Sequence, residues 1–449
     1  MIECPLARSA RLHPDAPALR FGASTWNYAQ LDDEVRRWHG ALLRAGVREG
    51  DRVVVRSPNR PEVVALLLAC ARAEAALCPL NARLAGPEIP PLLARLSPRV
   101  KLGELPDGVP LSDFATGAVP VANHPLDGQA VHTVLFTSGT TGTPKAAQLQ
   151  FRAHYANAIA SNEVLRIEAG SRYLACLPLH HVGGIAIGMR CVVAGAEMIL
   201  HPRFDADACA RDLEEGATHA SFVANMLARV LDTGRRFPAA IVLVGGGAAP
   251  RDLLARARAA GLEVLHTYGL TESASQVTCE LPGEADGSSA GMPLPGTEVV
   301  IGANGEIEVR GRTLMLGYLG EPPIGEWLRT GDLGEIDPRG RLIVHARRTD
   351  LIVSGGENVY PAEVEAALLA HPAVADVAVV PWPDKALGQV GYAAVVTRAP
   401  VAEGDLDLHV RDRLAGFKAP RRYVFLEALP RGESGKVDRR GLLGTLQAL

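Results

Sequence analysis

A nine-residue stretch rich in glycine and hydroxyl side chains, Thr137–Lys145, constrains this chain more than any other segment. It follows an apolar, β-branched run, Val131–Phe136, which predicts a buried strand. Glycines let backbone N–H groups point into one concavity that suits anionic oxygens, and Lys145 adds a mobile positive charge. The stretch is not a Walker A loop, because two residues separate Gly142 from Lys145. We interpret it as a phosphate-binding loop, with a polar surface loop as the alternative.

Length and composition indicate a globular protein with more than one domain. At 449 residues the chain exceeds one ordinary hydrophobic core. Hydrophobic residues make up 47% and charged residues 21%, which is typical of soluble globular proteins. The formal charge is 46 − 50 = −4, so no polyanion-binding surface is predicted and nucleic acid is not an expected partner.

Cysteine usage and apolar segments bear on location. The seven cysteines are odd in number and include no Cys-x-x-Cys pair, so we expect reduced thiols in the cytoplasm and no zinc site. The amino terminus has no basic segment followed by an apolar one, so we expect no secretory signal. The richest apolar run, Val63–Leu80, contains Arg72 and Glu74, and it predicts a buried helix and strand, not an integral membrane segment.

The first third of the chain alternates between two kinds of element. Apolar residues between Leu31 and Leu42 recur on one helical face. Asp51–Val55 and Ala75–Pro79 are predicted strands, and Pro61–Arg72 between them is a predicted helix with proline near its start. Strands alternating with helices predict a parallel sheet with helices on its faces.

Two later segments predict contacts to a nucleotide. Ile241–Pro250 is predicted to be a strand followed by a turn of three glycines. Glycines there permit a flat ring to approach the backbone. A second predicted strand ends at Tyr268, which can stack on a base. Thr271 can donate to a phosphate, and Glu272 can hold magnesium through oxygen. The alternative for this second segment is a strand followed by a capped helix.

Polar residues in apolar surroundings mark two further candidate positions. His180 and His181 lie among leucines before a glycine pair, where a histidine is usually a satisfied core residue. Arg190 is the one charge in the predicted apolar helix Ile185–Val193, and a buried arginine needs an anionic partner. Arg190 is either a structural ion pair, a surface residue extending to solvent, or a clamp for a second carboxylate on a substrate.

The carboxy-terminal third supplies two more candidates. Asp332 follows Thr-Gly and can accept from both ribose hydroxyls, although this tripeptide is a common turn. Lys436 follows Gly435 in a loop near the terminus, where a lysine is usually a solvated charge. Helices and strands alternate between residues 363 and 414, and they predict a small α+β domain of about a hundred residues.

These motifs, in this order, resemble those of the adenylate-forming superfamily: acyl-CoA synthetases, luciferases and peptide-synthetase adenylation domains. The resemblance implies an α/β fold with a large amino-terminal domain, residues 1–348, of mixed and parallel sheets with helices plus a β-rich subdomain. A small mobile α+β lid domain, residues 349–449, follows. Within the superfamily, the compact length, the Thr218–Phe222 segment and Arg190 most resemble the o-succinylbenzoate–CoA ligases of menaquinone biosynthesis.

The resemblance also implies site residues. The implied ATP contacts are Thr137, Ser138, Gly139, Thr140, Thr141, Gly142, Lys145, Gly246, Gly247, Ala248, Tyr268, Gly269, Asp332 and Arg347. The implied catalytic residues are Lys436, Thr271, Glu272 and His181, with Glu272 as the Mg²⁺ ligand. The implied acyl-substrate contacts are His181, Arg190, Ser221 and Gly269, and the implied coenzyme A channel contains Ser354, Gly355 and Gly356.

The implied activity is that of an acid–thiol ligase that joins a small carboxylic acid to coenzyme A at the expense of ATP. The acid is first converted to an acyl-adenylate and then to a thioester. Three alternatives stay open: a ligase for malonate, an aryl acid or a medium-chain acid; an adenylation enzyme that loads a carrier protein; and an inactive adenylate-binding module. A homodimer is one expectation for the assembly.

Three positions depart from the superfamily pattern. Ala346 stands where glycine is usual, and Thr349 stands where the hinge normally has aspartate or lysine. His180 replaces the usual aromatic residue before His181, which changes the polarity expected for the acyl pocket.

Overall fold

The computed structural model describes residues 1–84, 86–137, 145–246, 249–347, 351–354, 357–384, 387–414, 416–432 and 435–448. Its helices are α1 (Pro5–Leu12), α2 (Tyr28–Arg44), α3 (Pro61–Arg72), α4 (Ile89–Leu96), α5 (Leu111–Phe114), α6 (Phe151–Leu165), α7 (Val182–Ala194), α8 (Ala206–Glu214), α9 (Ala224–Leu231), α10 (Arg251–Ala259), α11 (Pro361–Leu369), α12 (Glu403–Arg411) and α13 (Arg439–Gln447).

The strands are β1 (Pro17–Phe21), β2 (Ser24–Asn27), β3 (Arg52–Arg56), β4 (Ala76–Leu80), β5 (Val100–Gly103), β6 (Val131–Thr137), β7 (Lys145–Gln150), β8 (Arg172–Ala175), β9 (Glu197–Leu200), β10 (His219–Phe222), β11 (Ala240–Val244), β12 (Leu262–Leu270), β13 (Ser275–Cys279), β14 (Met292–Pro293), β15 (Thr297–Ile301), β16 (Glu306–Gly311), β17 (Gly317–Tyr318), β18 (Leu328–Ile336), β19 (Leu342–Arg347), β20 (Ile352–Ser354), β21 (Glu357–Val359), β22 (Val374–Asp384), β23 (Gly388–Thr397) and β24 (Arg422–Phe425).

Two mixed sheets form the larger part of the molecule. One runs β14-β13-β12-β11-β10-β8-β9-β1-β2, with a parallel centre from β12 to β1 and antiparallel strands at both edges. The other runs β17-β7-β6-β4-β3-β5 and is parallel from β6 to β5. Strands that alternate with helices build both parallel regions, as the sequence predicts.

Local sequence explains the helices that cover these sheets. Asn27 caps α2, accepting from the backbone N–H of Gln30 while the Gln30 side chain accepts from the backbone N–H of Asn27. The α2 face that contains Val35 and Trp38 is buried against the core. Helix α3 begins with proline. The first backbone N–H of a helix has no partner within the helix, so proline, which lacks this group, loses no hydrogen bond there. From Val63 to Arg72 every residue of α3 is buried, which accounts for its continuous apolar sequence.

A smaller antiparallel sheet follows, in the order β15-β16-β18-β19. Strands β15 and β16 form a hairpin that turns at Asn304 and Gly305, where Gly305 adopts a positive φ of 73°. This sheet is the β-rich subdomain that the resemblance implies. Its longest strand, β18, carries Asp332.

The carboxy-terminal region has its own sheet, in the order β21-β20-β23-β22 with β24 alongside β23. Strand pairs β22–β23 and β20–β23 are antiparallel, and β24 pairs in parallel with β23. Helices α11 and α12 pack on this sheet around a separate apolar cluster that includes Ile352, Val364 and Val379. The α/β fold class is confirmed. Among the described helices, none is long and apolar enough to cross a membrane.

Candidate active site

The two ends of the predicted phosphate loop meet in one antiparallel hairpin. Thr137 ends β6 and pairs in register with Lys145, the first residue of β7. The two described ends of the loop therefore lie side by side where the buried strand β6 ends. The predicted contacts within the loop, Ser138, Gly139, Thr140, Thr141 and Gly142, lie outside the described residues.

The Lys145 side chain is bordered by an aromatic ring and a carboxylate. Its Nζ lies 4.5 Å from the centroid of the Tyr318 ring and 3.6 Å from Oε1 of Glu321. The Lys145 side chain is 39% exposed. The ammonium group is therefore partly solvated and available to an incoming anion.

The Thr271–Glu272 pair follows β12 directly. Residues Thr271–Ser273 form a single 3-10 turn, a short form of the capped helix in the alternative interpretation, and the backbone N–H of Leu270 donates to the Ser273 hydroxyl. The Tyr318 hydroxyl donates to Oε1 of Glu272 at 2.7 Å, and the backbone N–H of Met315 donates to the Glu272 carbonyl at 2.8 Å. The same tyrosine therefore contacts both the predicted magnesium ligand and the predicted phosphate lysine.

Tyr268 and Asp332 are 64 residues apart in sequence and hydrogen-bonded in the structure. The Tyr268 hydroxyl donates to Oδ2 of Asp332 at 2.7 Å. Asp332 is 7% exposed, and its backbone pairs with Arg347 across β18 and β19. The predicted base-stacking and ribose residues thus lie side by side. The Arg347 side chain lies outside the described part of the chain.

Gly269, between Tyr268 and the Thr271–Glu272 pair, occupies a position where no side chain fits. A Cβ built there would lie 1.9 Å from the backbone oxygen of Ser275. A register shift interrupts the β12–β13 pairing at this point, and Gly269 lies opposite Gln276. Backbone crowding therefore requires glycine and fixes the path of the chain toward Glu272.

Arg190 is buried in a polar cluster behind this strand. It is 2% exposed, and its guanidinium donates to Gln276 Oε1 at 2.8 Å and, more distantly, to the Tyr173 hydroxyl at 3.4 Å. Its Nε is buried with no hydrogen-bond partner among the described residues. No carboxylate of the described chain forms an ion pair with it. The surface interpretation of Arg190 is therefore wrong, because the side chain is enclosed, and the structural ion pair is not found within the described residues.

Ser221, a predicted substrate contact, belongs to the same cluster. Its hydroxyl lies 2.8 Å from the Tyr173 hydroxyl. Gln276 links the cluster to the nucleotide strand, because it accepts from Ser161 at 2.8 Å and donates to Thr267 at 3.0 Å. Hydrogen bonds through Tyr173 and Gln276 thus connect the predicted acyl contacts Arg190 and Ser221 to each other and to β12.

Lys436 lies against residues of the larger part of the molecule. A Cβ built on Gly246 would lie 2.9 Å from Cε of Lys436 and 3.7 Å from its Nζ. Gly246 has a φ of 82°, and a Cβ built on Gly435 would lie 3.3 Å from Val223. Lys436 and Gly435 therefore lie against Gly246 and Val223.

His181 is the N-cap residue of α7, and it is close enough to Lys436 for the positive charge of the lysine to affect its pKa. Burial, and then the positive charge of Lys436, lower the pKa of His181 below its usual value. Burial and the neighbouring His181 and Arg83 lower the pKa of His180 to about 3. Both imidazoles are therefore neutral at pH 7. His181 Nε2 is buried with no hydrogen-bond partner in the part of the chain that the structure describes.

The remaining predicted contacts divide into two groups. Ser354 is buried in the carboxy-terminal sheet, where it pairs with Gly388 of β23. Gly247, Ala248, Gly355 and Gly356 lie outside the described residues, as does the hinge position Thr349. The contacts given above form three groups: Lys145 and Glu272 through Tyr318, Tyr268 with Asp332, and Lys436 with Gly246 and His181. Tyr268 and Glu272 lie at the end of β12, and its parallel neighbour β11 ends two residues before Gly246, so one sheet edge carries a member of each group.

Sequence reasoning missed Tyr318, Gln276 and Tyr173. Tyr318 lies in a two-residue strand, β17, which is too short to give a periodic pattern. Gln276 and Tyr173 lie in strands β13 and β8, and only the packing of α7 against these strands brings them to Arg190. The one available signal was the unexplained charge of Arg190, which requires polar neighbours when it is buried.

Comparison with known proteins defines the class. The AMP-binding enzyme family model matches residues 6–319, and the model of the AMP-binding enzyme C-terminal domain matches residues 363–436. A 2-succinylbenzoate--CoA ligase of Bacillus licheniformis is 35% identical, over 97% of this chain and 98% of that protein. The chain belongs to the AMP-binding enzyme family, so the resemblance to adenylate-forming enzymes is confirmed.

Solved structures of one relative extend the comparison. The o-succinylbenzoate CoA synthetase of Bacillus subtilis in complex with the acyl-adenylate intermediate OSB-AMP superposes with a TM-score of 0.90, at 33% identity over 98% of both chains. The same enzyme with ATP and magnesium ion gives a TM-score of 0.89, at 34% identity over 98% of this chain and 99% of the other.

A third structure of that relative differs more. A double mutant bound to its product analogue OSB-NCoA gives a TM-score of 0.73, at 33% identity over 98% of both chains. Coverage is the same for this structure and for the OSB-AMP complex. The difference in TM-score therefore means that the domain arrangement of this chain is closer to that of the OSB-AMP complex.

Proposed function

We propose that this protein is an ATP-dependent acid–CoA ligase that converts o-succinylbenzoate, ATP and coenzyme A to o-succinylbenzoyl-CoA, AMP and diphosphate, a step of menaquinone biosynthesis. The observation that carries the proposal is the position of Lys436 against Gly246 and beside His181. It brings a second lysine to the site that the Tyr268–Asp332 pair and Glu272 define.

The first half-reaction forms the acyl-adenylate. A carboxylate is a poor electrophile and must be activated before a thiol can attack it. Its oxygen therefore first attacks the α-phosphorus of ATP, and pyrophosphate leaves. Asp332 accepts from the ribose hydroxyls and Tyr268 lies along the base. Lys436 neutralises charge that develops between the attacking carboxylate and the α-phosphate, and Lys145 binds the departing phosphates. Positioning and electrostatics supply most of the acceleration in transfers of this kind.

The residues present fit Mg²⁺. This ion favours one or two carboxylates together with phosphate oxygens over a cage of protein ligands. The described residues contain no cluster of three or more metal-binding side chains, and Glu272 presents one carboxylate at the end of the nucleotide strand. When bound, Mg²⁺ would neutralise charge on the phosphate oxygens of ATP.

The second half-reaction requires Lys436 to leave. We infer that the domain boundary lies at about residue 349 and that the carboxy-terminal domain rotates there. The Ser354-Gly355-Gly356 segment then lines the channel for the pantetheine thiol, which attacks the acyl carbonyl and releases AMP. The lower TM-score with the OSB-NCoA complex supports two domain arrangements in this family.

Arg190 and His181 supply the specificity. o-Succinylbenzoate has two carboxylates, and only one reacts. Arg190 is a buried cation whose described partners, Gln276 and Tyr173, are neutral, so its guanidinium is suited to the carboxylate that does not react. We assign neutral His181, Ser221 and Gly269 to the acyl-substrate contacts between Arg190 and the nucleotide. A malonate, aryl or medium-chain acid would use this arginine less well or not at all.

Pyrophosphate release over a panel of acids tests the proposal. We expect release only with ATP, Mg²⁺ and acid, fastest with o-succinylbenzoate, and AMP release coupled to coenzyme A consumption. Fastest turnover with malonate, an aryl acid or a medium-chain acid would reassign the substrate. Turnover with a carrier protein in place of coenzyme A would indicate a loading enzyme, and no release with any acid would indicate an inactive adenylate-binding module.

We also propose that the reaction takes place in the cytoplasm. All seven cysteines are free and buried, which suits a reducing compartment. The homodimer stays a prediction, which size-exclusion chromatography with light scattering would test.

A further inference from the structure

One aromatic side chain without a role in the proposed function contacts two residues that have one. The Tyr318 hydroxyl donates to Oε1 of Glu272 at 2.7 Å, while the face of its ring lies 4.5 Å from Nζ of Lys145. Glu272 and Lys145 come from different sheets and are more than a hundred residues apart. Among the described residues, the Tyr318 side chain contacts both Glu272 and Lys145.

Backbone pairing holds Tyr318 in this place. Strand β17 pairs antiparallel with β7, the strand that begins at Lys145, and Tyr318 lies opposite Ala147. The N–H of Leu319 donates to the Ala146 carbonyl, and the N–H of Met315 donates to the Glu272 carbonyl, both at 2.8 Å. The segment 315–319 is therefore fixed through the main chain to Glu272 and to Ala146, the residue after Lys145.

We propose that Tyr318 is a positioning residue, whose hydroxyl orients the Glu272 carboxylate for Mg²⁺ and whose ring restrains Lys145 beside the phosphates of ATP. This inference rests on the proposed function of Glu272 and Lys145 and adds a residue that acts through them.

The hydroxyl determines which carboxylate oxygen is available. A hydrogen bond to Oε1 fixes the rotation of the carboxylate and leaves Oε2 for the metal. Partners of this kind orient metal-binding carboxylates, and their loss typically costs about 10–100-fold in metal affinity. Replacing Tyr318 by phenylalanine removes this bond and keeps the ring.

The ring and Glu321 hold Lys145 by weaker forces. A lysine over an aromatic ring gains little at a partly exposed site, about 2–5-fold in an equilibrium constant. Glu321 lies 3.6 Å from the lysine and is 46% exposed, so phosphate can displace it readily. Lys145 is thus restrained before ATP binds, without a strong bond that ATP must break.

The test is the Mg²⁺ dependence of pyrophosphate release, together with the Mg²⁺ dependence of ATP binding measured by isothermal titration calorimetry without acid, which also reads variants that release no pyrophosphate. For Tyr318→Phe we expect the Mg²⁺ concentration at half-maximal rate to rise about 10–100-fold, while KM for ATP at saturating Mg²⁺ stays unchanged. For Tyr318→Leu, which also removes the ring, we expect KM for ATP to rise as well, by about 2–5-fold. Tyr155→Phe is the matched control, because this ring packs on Phe151 within α6 and the variant should keep wild-type Mg²⁺ dependence.

A double-mutant cycle separates positioning from general packing. In a Glu272→Ala background, Tyr318→Phe should cause no further rise in the Mg²⁺ requirement, because the residue it acts through is absent. A full additional rise in that background would overturn the route through Glu272. Wild-type Mg²⁺ dependence in Tyr318→Phe, with or without a lowered melting temperature, would overturn the inference.

The Leu variant gives the same test if Tyr318→Phe does not fold: a raised Mg²⁺ requirement supports the inference, and an unchanged one overturns it. Failure of the proposed function gives a different result, because the wild-type protein itself would then release no pyrophosphate with any acid.

Discussion

Replacing Arg190 by methionine should leave the free enzyme as stable as before while removing its preference for a dicarboxylate. Arg190 is 2% exposed and forms no ion pair with a described carboxylate, so folding buries a charge whose described hydrogen-bond partners are neutral. Replacing such a charge by an apolar side chain of similar volume is often neutral or stabilising by about 1–4 kcal/mol.

The neighbours of Arg190 do not depend on it for hydrogen bonds. Without the guanidinium, Tyr173 still bonds to Ser221, and Gln276 still bonds to Ser161 and Thr267. No buried acceptor is left unsatisfied, so the loss should not exceed about 1 kcal/mol. We therefore expect the free energy of unfolding of Arg190→Met, measured by urea denaturation without substrate, to be unchanged or raised.

Substrate binding should respond in the opposite direction. A buried carboxylate that loses its guanidinium partner costs about 2–5 kcal/mol, which is about 30-fold or more in KM. We expect this increase for o-succinylbenzoate. Two monocarboxylate analogues each lack one of the two carboxylates of o-succinylbenzoate. For the analogue that still reacts, KM should change little.

Arg72 provides the matched control, because it is equally buried but paired. Its guanidinium forms an ion pair with Asp32, which is also buried. Arg72→Met leaves that carboxylate without its cation and should cost about 3–5 kcal/mol of folding stability. The reasoning would be refuted if Arg190→Met lost as much stability as Arg72→Met, or if KM rose equally for the dicarboxylate and for its reactive monocarboxylate analogue.

Three further predictions follow from single contacts. Lys436→Ala should raise the pKa of His181 toward its usual value, since burial then acts without the nearby positive charge; NMR titration of the imidazole measures this, and an unchanged pKa would place Lys436 elsewhere in solution. Gly269→Ala should cost about 1–3 kcal/mol or more of stability in urea denaturation, because its Cβ would meet the Ser275 carbonyl oxygen at 1.9 Å, whereas Gly325→Ala, with no atom within 4 Å, should cost little. Burial lowers the pKa of His201, but hydrogen bonds to Asp212 and Cys209 outweigh it and raise the pKa to about 9. The stabilisation by the protonated imidazole is complete below about pH 6.5 and is lost as pH rises through 9. His201→Gln should therefore lower the free energy of unfolding by about 1–3 kcal/mol near neutral pH and flatten its pH profile between these values. An unchanged profile would contradict that pairing.

Local patterns predicted the elements that do not depend on distant partners. Helix α3 occupies the predicted Pro61–Arg72, because proline fixes its start and an unbroken apolar sequence suits burial on all sides. The hairpin turn at Gly305 was likewise predictable, because the turn needs a residue with positive φ. The motifs also gave the family, since their order and spacing are specific.

Long-range pairs were not predictable from the sequence. The hydrogen bond from Tyr268 to Asp332 joins two sheets, and neither strand indicates which residue its end will meet. Arg190 could be identified as unusual, but only the packing of α7 against β13 shows that Gln276 is its neighbour. Tyr318 lies outside any periodic element, and its importance arises entirely from β17 pairing with β7.

The most direct measurement of the central claim is the pair of half-reactions in Lys436→Ala. Pyrophosphate release reports adenylate formation, and thioester formation from supplied acyl-adenylate and coenzyme A reports the second step. Because Lys436 lies against Gly246 in this arrangement and must leave before the thiol enters, we expect adenylate formation to fall by at least about 100-fold, while thioester formation stays near the wild-type rate. Equal loss of both half-reactions would contradict a lysine that a rotating domain brings in for one step only.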